Sequence, residues 1–278
     1  MESPSAPVFI ETEELQKLLD QGAPVRIFDC TGEEEPIANY KAKHIPGAQF
    51  LDLRYLRDMS KPYPFMLPTE AHFTEFIKAN NLKPSTRIVF YDTKPKTTYW
   101  ASRTYWMFSV FGFKNASILN GGLHKWATLE QRATETDTDF GSAEDYKVTL
   151  NQDMVRTYEQ ICELEKKIEA KESDVQIIDG RGEQFYEAGH IPVSKSHCYA
   201  KFVNPDTNCA RSAAEIRKIA EDNGIDLGKP IVSSCGQGIA ATYNWACLTS
   251  AGVKNVPVFD GAWNEYSTRK KAEQQAKP

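Results

Sequence analysis

The sequence lacks the features that would place the protein in a membrane or make it depend on disulfide bonds. No stretch approaches the run of about 18 apolar residues that a membrane-spanning helix requires. The six cysteines are scattered over 278 residues and do not have the spacing of a disulfide framework. The first residues, Met1-Glu2-Ser3-Pro4, resemble neither a secretory signal nor an Arg-rich transit peptide. We therefore expect a cytoplasmic protein whose cysteines stay reduced, with no membrane among its partners.

Sequence patterns typical of proteins that bind nucleic acid or metal are also missing. The net charge is −5 and no sustained basic stripe is present, which argues against nucleic acid as a partner. Cys198 and Cys209 have His190 and His197 nearby, and these four residues could be interpreted as metal ligands. Their spacing lacks the paired C-x-x-C arrangement of zinc sites. We predict that the protein binds no metal and uses no cofactor.

Residues 231–242 have the pattern of a short strand, a turn and a helix. Ile231 and Val232 are β-branched and follow a turn signal at 228–230, so they predict a buried strand. From Ile239 onward apolar residues recur at helical spacing, and Gly252 marks the end of the predicted helix. Cys235 therefore lies on the turn between the strand and the helix.

The glycines of this turn have a chemical consequence. Gly236 and Gly238 flank Gln237 and allow the backbone to curl, so that successive N–H groups point inward. The dipole of the following helix adds positive potential at the same place. We predict that this environment lowers the pKa of the Cys235 thiol and makes the sulfur a nucleophile. The alternative is that Cys235 is a small buried apolar residue, as many free cysteines are.

The rest of the chain alternates between strand and helix patterns. Capping residues predict four helix starts, at Thr12, at Thr69, at Thr157 with Gln160, and at Ser212 with Glu215. The dense aromatic stretch 99–111 predicts a core helix, not a cofactor site. Such alternation implies parallel sheets with helices on both faces. A segment rich in Glu, Thr, Asp and Gly separates two halves, and we place the domains at 1–135 and 153–278 with a linker at 136–152.

The two halves repeat each other. The matching pairs, in chain order, are Phe28-Asp29 with Ile178-Asp179, His44-Ile45-Pro46 with His190-Ile191-Pro192, Ile88-Val89 with Ile231-Val232, and Leu119-Asn120-Gly121-Gly122 with Phe259-Asp260-Gly261-Ala262. An ordered series of this kind indicates an internal duplication. Asp92 stands in the first half where Cys235 stands in the second, so we predict that only the second half carries thiol chemistry.

These landmarks resemble the two-domain rhodanese family, the thiosulfate and 3-mercaptopyruvate sulfurtransferases. The resemblance rests on the Asp-x-Arg strand end at Asp179 and Arg181, the turn at His190, the loop at Cys235 and the turn at Asp260-Gly261. In the first half several motifs resemble most the mercaptopyruvate branch, namely Met66-Leu67-Pro68 with His72-Phe73, Trp106-Met107-Phe108, and Gly121-Gly122-Leu123 with Trp126. The resemblance implies an α/β fold of two tandem domains, each a five-stranded parallel sheet covered by helices on both faces, with an inactive N-terminal copy.

The resemblance also implies a mechanism. Cys235 would take the outer sulfur of a small donor as a persulfide and pass it to a thiol, cyanide or a protein acceptor. The backbone N–H groups that would hold the developing anion belong to Gly236, Gln237, Gly238, Ile239 and Ala240. Related phosphatases need an arginine six positions after the cysteine to hold phosphate, and Ala241 stands there, which argues against phosphate-ester hydrolysis.

Three positions depart from the family pattern. Gln237 stands where the family has lysine or serine, Ala240 replaces a threonine, and Phe185 falls on the family's substrate-binding arginine. Arg181 could affect the charge of the site or form a structural ion pair near Glu183. These departures leave a second hypothesis open, in which the chain is a non-enzymatic binding or structural module with an assembly partner.

Two histidines and an aspartate of the turns have predicted structural roles. His44 and His190 each begin a His-Ile-Pro turn and are predicted to fix it by a hydrogen bond. His44 is a further candidate for shuttling protons at the site. Asp92 is predicted to cap the helix that follows it.

Overall fold

The computed structural model describes residues 6–32, 36–93, 98–132 and 147–276. The chain forms two compact units. The first takes the described residues within 1–59, 67–151 and 203–210, and the second takes those within 60–66, 152–202 and 211–278. Most of the predicted linker lies outside the described residues, and the domain boundaries of the preceding subsection stay predictions.

The first unit is built on a five-stranded parallel sheet of order β1-β5-β4-β2-β3. Its strands are β1 (Phe9–Ile10), β2 (Val25–Asp29), β3 (Ala48–Phe50), β4 (Arg87–Tyr91) and β5 (Ala116–Leu119). Its helices are α1 (Thr12–Asp20), α2 (Pro36–Ala42), α3 (Glu70–Ala79) and α4 (Tyr99–Val110), followed by a π-helical turn at His124–Leu129.

The second unit repeats this topology with the order β6-β10-β9-β7-β8, again all parallel. Its strands are β6 (Val155–Arg156), β7 (Gln176–Asp179), β8 (Ser194–Ser196), β9 (Ile231–Ser234) and β10 (Val258–Phe259). Its helices are α5 (Tyr158–Glu169), α6 (Glu183–Glu187), α7 (Ala213–Asp222), α8 (Ala240–Ser250) and α9 (Ala262–Gln275), with short 3-10 turns at Gln152–Met154 and Tyr199–Phe202. The predicted α/β class and the predicted pair of five-stranded parallel sheets are confirmed.

Helices cover both faces of the first sheet. On one face Ile27 and Val89 pack with Leu15 of α1. On the other face the ring of Phe28 lies 6.5 Å from that of Phe76, and the ring of Phe90 lies 4.8 Å from that of Phe108. Strands with apolar side chains on both faces are typical of buried parallel sheets. The aromatic stretch of α4 is core, as the sequence predicts.

The duplication extends to individual hydrogen bonds. The Tyr40 hydroxyl donates to Ala48 O (2.6 Å), and the Tyr186 hydroxyl donates to Ser194 O (2.5 Å). In both halves the ring of that tyrosine stacks on the histidine four residues later, at 4.2 Å for His44 and 3.8 Å for His190. The same four-residue spacing and the same acceptor position recur, so the two halves share an origin in one folding unit.

Local capping signals predict most helix starts correctly. The Thr157 hydroxyl accepts the Gln160 N–H and the Ser212 hydroxyl accepts the Glu215 N–H, as the two capping boxes require. Thr69 accepts the His72 N–H at the start of α3. The prediction for Thr12 is wrong by one residue. Thr12 is the first residue of α1 and Glu11 is its N-cap, and the Thr12 hydroxyl donates instead to Glu130 (2.8 Å).

None of the helices in the described part of the chain combines the length and the apolar character needed to cross a bilayer.

Candidate active site around Cys235

Cys235 lies at the carboxyl edge of the second sheet, directly after β9. Gly180, directly after β7, donates its N–H to Ser234 O (2.7 Å), which ties the ends of the two strands together. Residues 235–239 then lead into α8, which begins at Ala240. The predicted order of strand, turn and helix is confirmed.

The turn after Cys235 is tightly organised. Gly238 has φ +78°, a left-handed conformation that glycine adopts without strain. The Thr242 hydroxyl donates to Ile239 O (2.6 Å) and the Ser233 hydroxyl donates to Ala241 O (2.8 Å). One carbonyl group of the turn and one at the start of the helix therefore accept side-chain hydrogen bonds. Gln237 is exposed at the tip of the turn.

The structure contradicts the predicted ionisation of the thiol. Cys235 is only 2% exposed, and this burial raises the pKa of its thiol above the ordinary value. The backbone N–H groups of Ala241, Gln237 and Gly238 act in the opposite direction, because they stabilise a negative sulfur, but they do not outweigh desolvation. The predicted lowering of the thiol pKa is therefore wrong in sign. Of the five predicted N–H donors, Gln237 and Gly238 act on the sulfur, whereas the third donor, Ala241, was not predicted.

Arg181 forms the expected ion pair, with a different partner. Its guanidinium binds Asp179 through both carboxylate oxygens, with Nη2 to Oδ2 at 2.6 Å and Nε to Oδ1 at 3.0 Å. Nη2 also donates to Gly189 O (2.7 Å). Glu183, the nearby acid in sequence, accepts the Ser196 hydroxyl instead (2.7 Å). Arg181 therefore neutralises a buried carboxylate beside the cysteine loop.

The first half has no arginine at the equivalent strand end. Asp29 corresponds to Asp179, and Thr31 stands where Arg181 stands, donating its hydroxyl and its N–H (3.0 Å) to the Asp29 carboxylate. Burial raises the pKa of Asp29 to about 6, although the hydrogen bonds from Thr31 and Tyr91 and the electrostatic effect of His44 lower it. Sequence reasoning missed this carboxyl group, although the change from Asp-x-Arg to Asp-x-Thr was visible in the aligned halves.

The other candidate residues differ in their accessibility. Phe185, on α6, is 57% exposed, so a large apolar ring points to solvent at the position where the resemblance predicts an arginine. His44 is fully buried in the first unit, and its Nδ1 donates to Tyr40 O (2.8 Å). His190 makes the same bond to Tyr186 O (2.8 Å). Both histidines thus make the turn-fixing bond that was predicted for them, and burial of His44 leaves no exposed face for a proton shuttle.

The remaining cysteines are free thiols. Cys30 and Cys247 are fully buried, the latter within α8 as predicted, and Cys162, Cys198 and Cys209 are partly buried. Within the described ranges, no group of three or more His, Cys, Asp or Glu is arranged to hold a metal ion. His197 is another residue that sequence reasoning did not single out for its ionisation. Neither of its ring nitrogens has a hydrogen-bond partner among the described residues, and burial lowers its pKa to about 4.

Two parallel-sheet units of identical topology, one with a cysteine and the other with a carboxylate at the same strand end, define a duplicated α/β domain protein. Residues 11–129 and 162–269 each match the Rhodanese family, described as the rhodanese-like domain. The chain belongs to the Rhodanese family.

Characterised relatives cover most of the chain. Thiosulfate sulfurtransferase of Rattus norvegicus is 30% identical over 264 residues, spanning 89% of this chain and 86% of the relative. 3-Mercaptopyruvate sulfurtransferase of Homo sapiens is 30% identical over 268 residues, spanning 91% of this chain and 88% of the relative. The chain is an enzyme of the sulfurtransferase class.

Solved structures agree with this fold. SseA from Escherichia coli, described as a 3-mercaptopyruvate sulfotransferase of the rhodanese fold, superposes with a TM-score of 0.82 at 26% identity, covering 93% of this chain and 99% of SseA. The sub-stoichiometric sulfur transferase subunit of yeast mitochondrial complex I superposes with a TM-score of 0.78 at 26% identity, covering 93% of this chain and 95% of that subunit.

Proposed function

We propose that the protein moves a sulfane sulfur from thiosulfate or 3-mercaptopyruvate, through a persulfide on Cys235, to a thiol, cyanide or a protein acceptor. The observation that carries this proposal is the set of backbone N–H groups of Gln237, Gly238 and Ala241 that act on the Cys235 sulfur. Preorganised donors of this kind stabilise negative charge as it develops in a reaction. The names of the relatives support the choice of donors.

The proposed chemistry has two half-reactions. With thiosulfate, the ionised Cys235 sulfur attacks the outer sulfur, a new S–S bond forms, and sulfite leaves with the electron pair of the old S–S bond. With 3-mercaptopyruvate the C–S bond breaks instead, and the carbon that keeps the electron pair takes up a proton to give pyruvate. An acceptor thiolate then attacks the outer sulfur of the persulfide and releases the Cys235 thiolate. The two substrates occupy the site in turn, which predicts ping-pong kinetics.

Ionisation of the thiol limits the first half-reaction in this proposal. Burial raises the pKa of Cys235, so the resting thiol is protonated at neutral pH and must lose its proton before attack. The first half-reaction should therefore accelerate as the pH rises through the thiol pKa. Arg181 contributes indirectly, because it offsets the Asp179 charge that opposes ionisation of the sulfur.

A second candidate function is that of a binding or structural component of an assembly. Two observations favour it. The guanidinium of Arg181 is already bound to Asp179 and Gly189, and two exposed residues of the predicted site, Phe185 and Gln237, carry no positive charge. The similarity to a subunit of mitochondrial complex I supports an assembly partner, although that subunit is itself described as a sulfur transferase.

Intact-mass spectrometry after incubation with each donor tests the proposal. The expected result is one added sulfur atom on Cys235 with at least one of the two donors, and none in Cys235→Ser. The same samples are alkylated to show that the Cys235 thiol is chemically competent. A chain whose thiol alkylates but takes no sulfur from either donor would overturn the proposal and favour the binding module.

A further inference from the structure

The first turn of α9 holds the cysteine loop through two backbone hydrogen bonds. Trp263 donates its N–H to Cys235 O (2.9 Å) and Asn264 donates its N–H to Gly236 O (3.1 Å). N–H groups in the first turn of a helix have no partner within the helix, so they are available for such bonds. The first regular bond of α9 is made by the next residue, Glu265, to Gly261 O (3.0 Å).

The second of these bonds fixes the direction of a donor that acts on the sulfur. Gly236 O and the Gln237 N–H belong to one peptide group, which is planar and trans, so they point in opposite directions. When Asn264 binds the oxygen, the N–H at the other side of the peptide is aimed away from α9. The Gln237 N–H is one of the three that stabilise a negative Cys235 sulfur.

The turn of α9 is itself held in an unusual conformation. Ala262 has φ +52°, a left-handed conformation that costs an L-residue about 1–2 kcal/mol. The equivalent residue of the first half is Gly122, which adopts φ +56° without a Cβ, and there the following N–H, of Leu123, donates to Asp92 O (3.1 Å). Both halves therefore have the same left-handed turn, and in the second half it forms in spite of the backbone strain at Ala262.

Side chains lock this turn against the loop. The guanidinium of Arg181 lies over the ring of Trp263 at 5.2 Å. That ring also stacks on Tyr266 at 5.8 Å and packs on Gly189, where a Cβ would lie 2.7 Å from Trp263 Cζ2, so only glycine fits there. The Arg181 chain also reaches the loop, since a Cβ on Gly236 would lie 3.5 Å from Arg181 Cδ. One arginine thus contacts the strand end, the histidine turn, α9 and the cysteine loop.

We propose that the first turn of α9, fixed by the stack of Arg181 on Trp263, is a positioning element that aims the Gln237 N–H at the Cys235 sulfur. Asn264 acts through its backbone N–H, and Trp263 and Arg181 act by holding that N–H in place, so this role requires no contact with the donor. The relevance of this element to catalysis rests on the proposed function, in which the Cys235 sulfur carries the transferred atom.

A pair of variants that differ in one N–H tests the inference. Asn264→Pro removes the N–H that binds Gly236 O, and proline is tolerated in the first turn of a helix. Asn264→Ala removes the side chain and keeps the N–H. The measurement is the rate of Cys235 alkylation by iodoacetamide against pH, with peptide mapping to separate the six cysteines. The midpoint for Asn264→Pro should lie about one pH unit above that for Asn264→Ala, a tenfold loss of thiolate at fixed pH.

Equal midpoints in the two folded variants would overturn the inference. If circular dichroism shows that Asn264→Pro does not fold, Trp263→Leu and Trp263→Phe replace it, because only phenylalanine keeps an aromatic face for Arg181. The leucine variant should raise the midpoint more than the phenylalanine variant, and equal midpoints would again refute the positioning role. Alkylation needs no sulfur donor. A failure of donor loading in the unmodified chain therefore refutes the proposed function without deciding this inference.

Discussion

Asp92 and Cys235 occupy the same position in the two sheets. Asp29 pairs with Tyr91 in the first sheet and Asp179 pairs with Ser234 in the second, and the next residue along is Asp92 or Cys235. Asp92 Oδ2 accepts the Ala101 N–H in the first turn of α4 (3.0 Å), which confirms its predicted role as a cap. In the second half an N–H of the α8 first turn, that of Ala241, acts on sulfur instead. The same backbone geometry holds a carboxylate in one copy and the sulfur of a buried thiol in the other.

Removing the side-chain charge should have opposite effects on stability at Asp29 and at Asp179. Asp29 has a pKa raised to about 6, so the folded protein binds its proton more tightly than the unfolded chain does. The stability that Asp29 contributes therefore falls as the pH rises from about 4 to about 6, by up to about 3 kcal/mol. Asp29→Asn should raise the melting temperature of the first unit at pH 8 and leave it nearly unchanged at pH 4. Differential scanning calorimetry at the two pH values measures this difference.

Asp179→Asn is the matched control for that experiment. Asp179 is buried but paired with Arg181 through both oxygens, so removing its charge leaves a largely buried guanidinium without its partner. Breaking such a pair typically costs about 3–5 kcal/mol. The control should therefore destabilise the second unit at pH 8, where Asp29→Asn stabilises the first. Stabilisation by both substitutions, or by neither, would contradict the account of the two strand ends.

His197 makes the second unit sensitive to acid. Its pKa is lowered to about 4 by burial, so the unfolded chain binds a proton more readily than the folded protein. Stability contributed by neutral His197 is present above about pH 6.5 and is lost as the pH falls toward 4, by up to about 3 kcal/mol.

His197→Phe tests this assignment. The ring of His197 already packs on Phe202 at 4.6 Å, and its nitrogens have no hydrogen-bond partner among the described residues, so phenylalanine fits the chemistry of the site. The variant should match the parent at pH 7.5 and unfold at higher urea concentration than the parent at pH 4.5. If the urea midpoint of the variant falls between pH 7.5 and pH 4.5 by as much as that of the parent, other groups carry the acid sensitivity.

Local signals and tertiary environment explain which sequence predictions hold. The capping boxes at Thr157 and Ser212 involve residues three apart, and the structure confirms both. Strands β1 and β6 have only two residues each, too few to show any period, and no sequence pattern indicated them. They become visible only through their pairing with β5 and β10.

The chemical details of the site depend on burial, which the sequence does not contain. The glycine turn predicts two of the N–H donors, Gln237 and Gly238, but not Ala241, and the sign of the thiol pKa shift depends on desolvation at 2% exposure. The partner of Arg181 was a similar case. Asp179 and Glu183 both lie two residues from Arg181, and only the bend of the chain after β7 selects Asp179. Contacts between residues close in the chain can be predicted from sequence. The outcome of competition between desolvation and hydrogen bonds for the pKa of a side chain depends on the folded structure.

Gln237→Lys should favour thiosulfate over 3-mercaptopyruvate. Gln237 is exposed at the tip of the cysteine loop, so a lysine there adds one mobile charge without burying it. An opposite charge at about 4 Å in water contributes about 1 kcal/mol, which corresponds to about a fivefold gain in kcat/KM for a dianion. Gln237→Met, of similar length and without charge, is the control. Equal gains for the two donors, or a gain in the methionine variant, would show that residue 237 does not face the donor.

Phe185→Arg should strengthen binding of anionic donors. Phe185 is 57% exposed on α6, so its replacement costs little stability, and the family resemblance predicts a substrate-binding arginine at this position. A guanidinium at this place can bind a carboxylate through two parallel hydrogen bonds, and hydrogen bonds to charged groups contribute about 1.5–3 kcal/mol. The KM for 3-mercaptopyruvate should fall about tenfold while kcat stays within a factor of two, since the contact is made before and during the reaction alike. Phe185→Gln removes the ring without adding charge and should leave KM unchanged. A fall in KM with glutamine, or none with arginine, would mean that the donor does not reach α6.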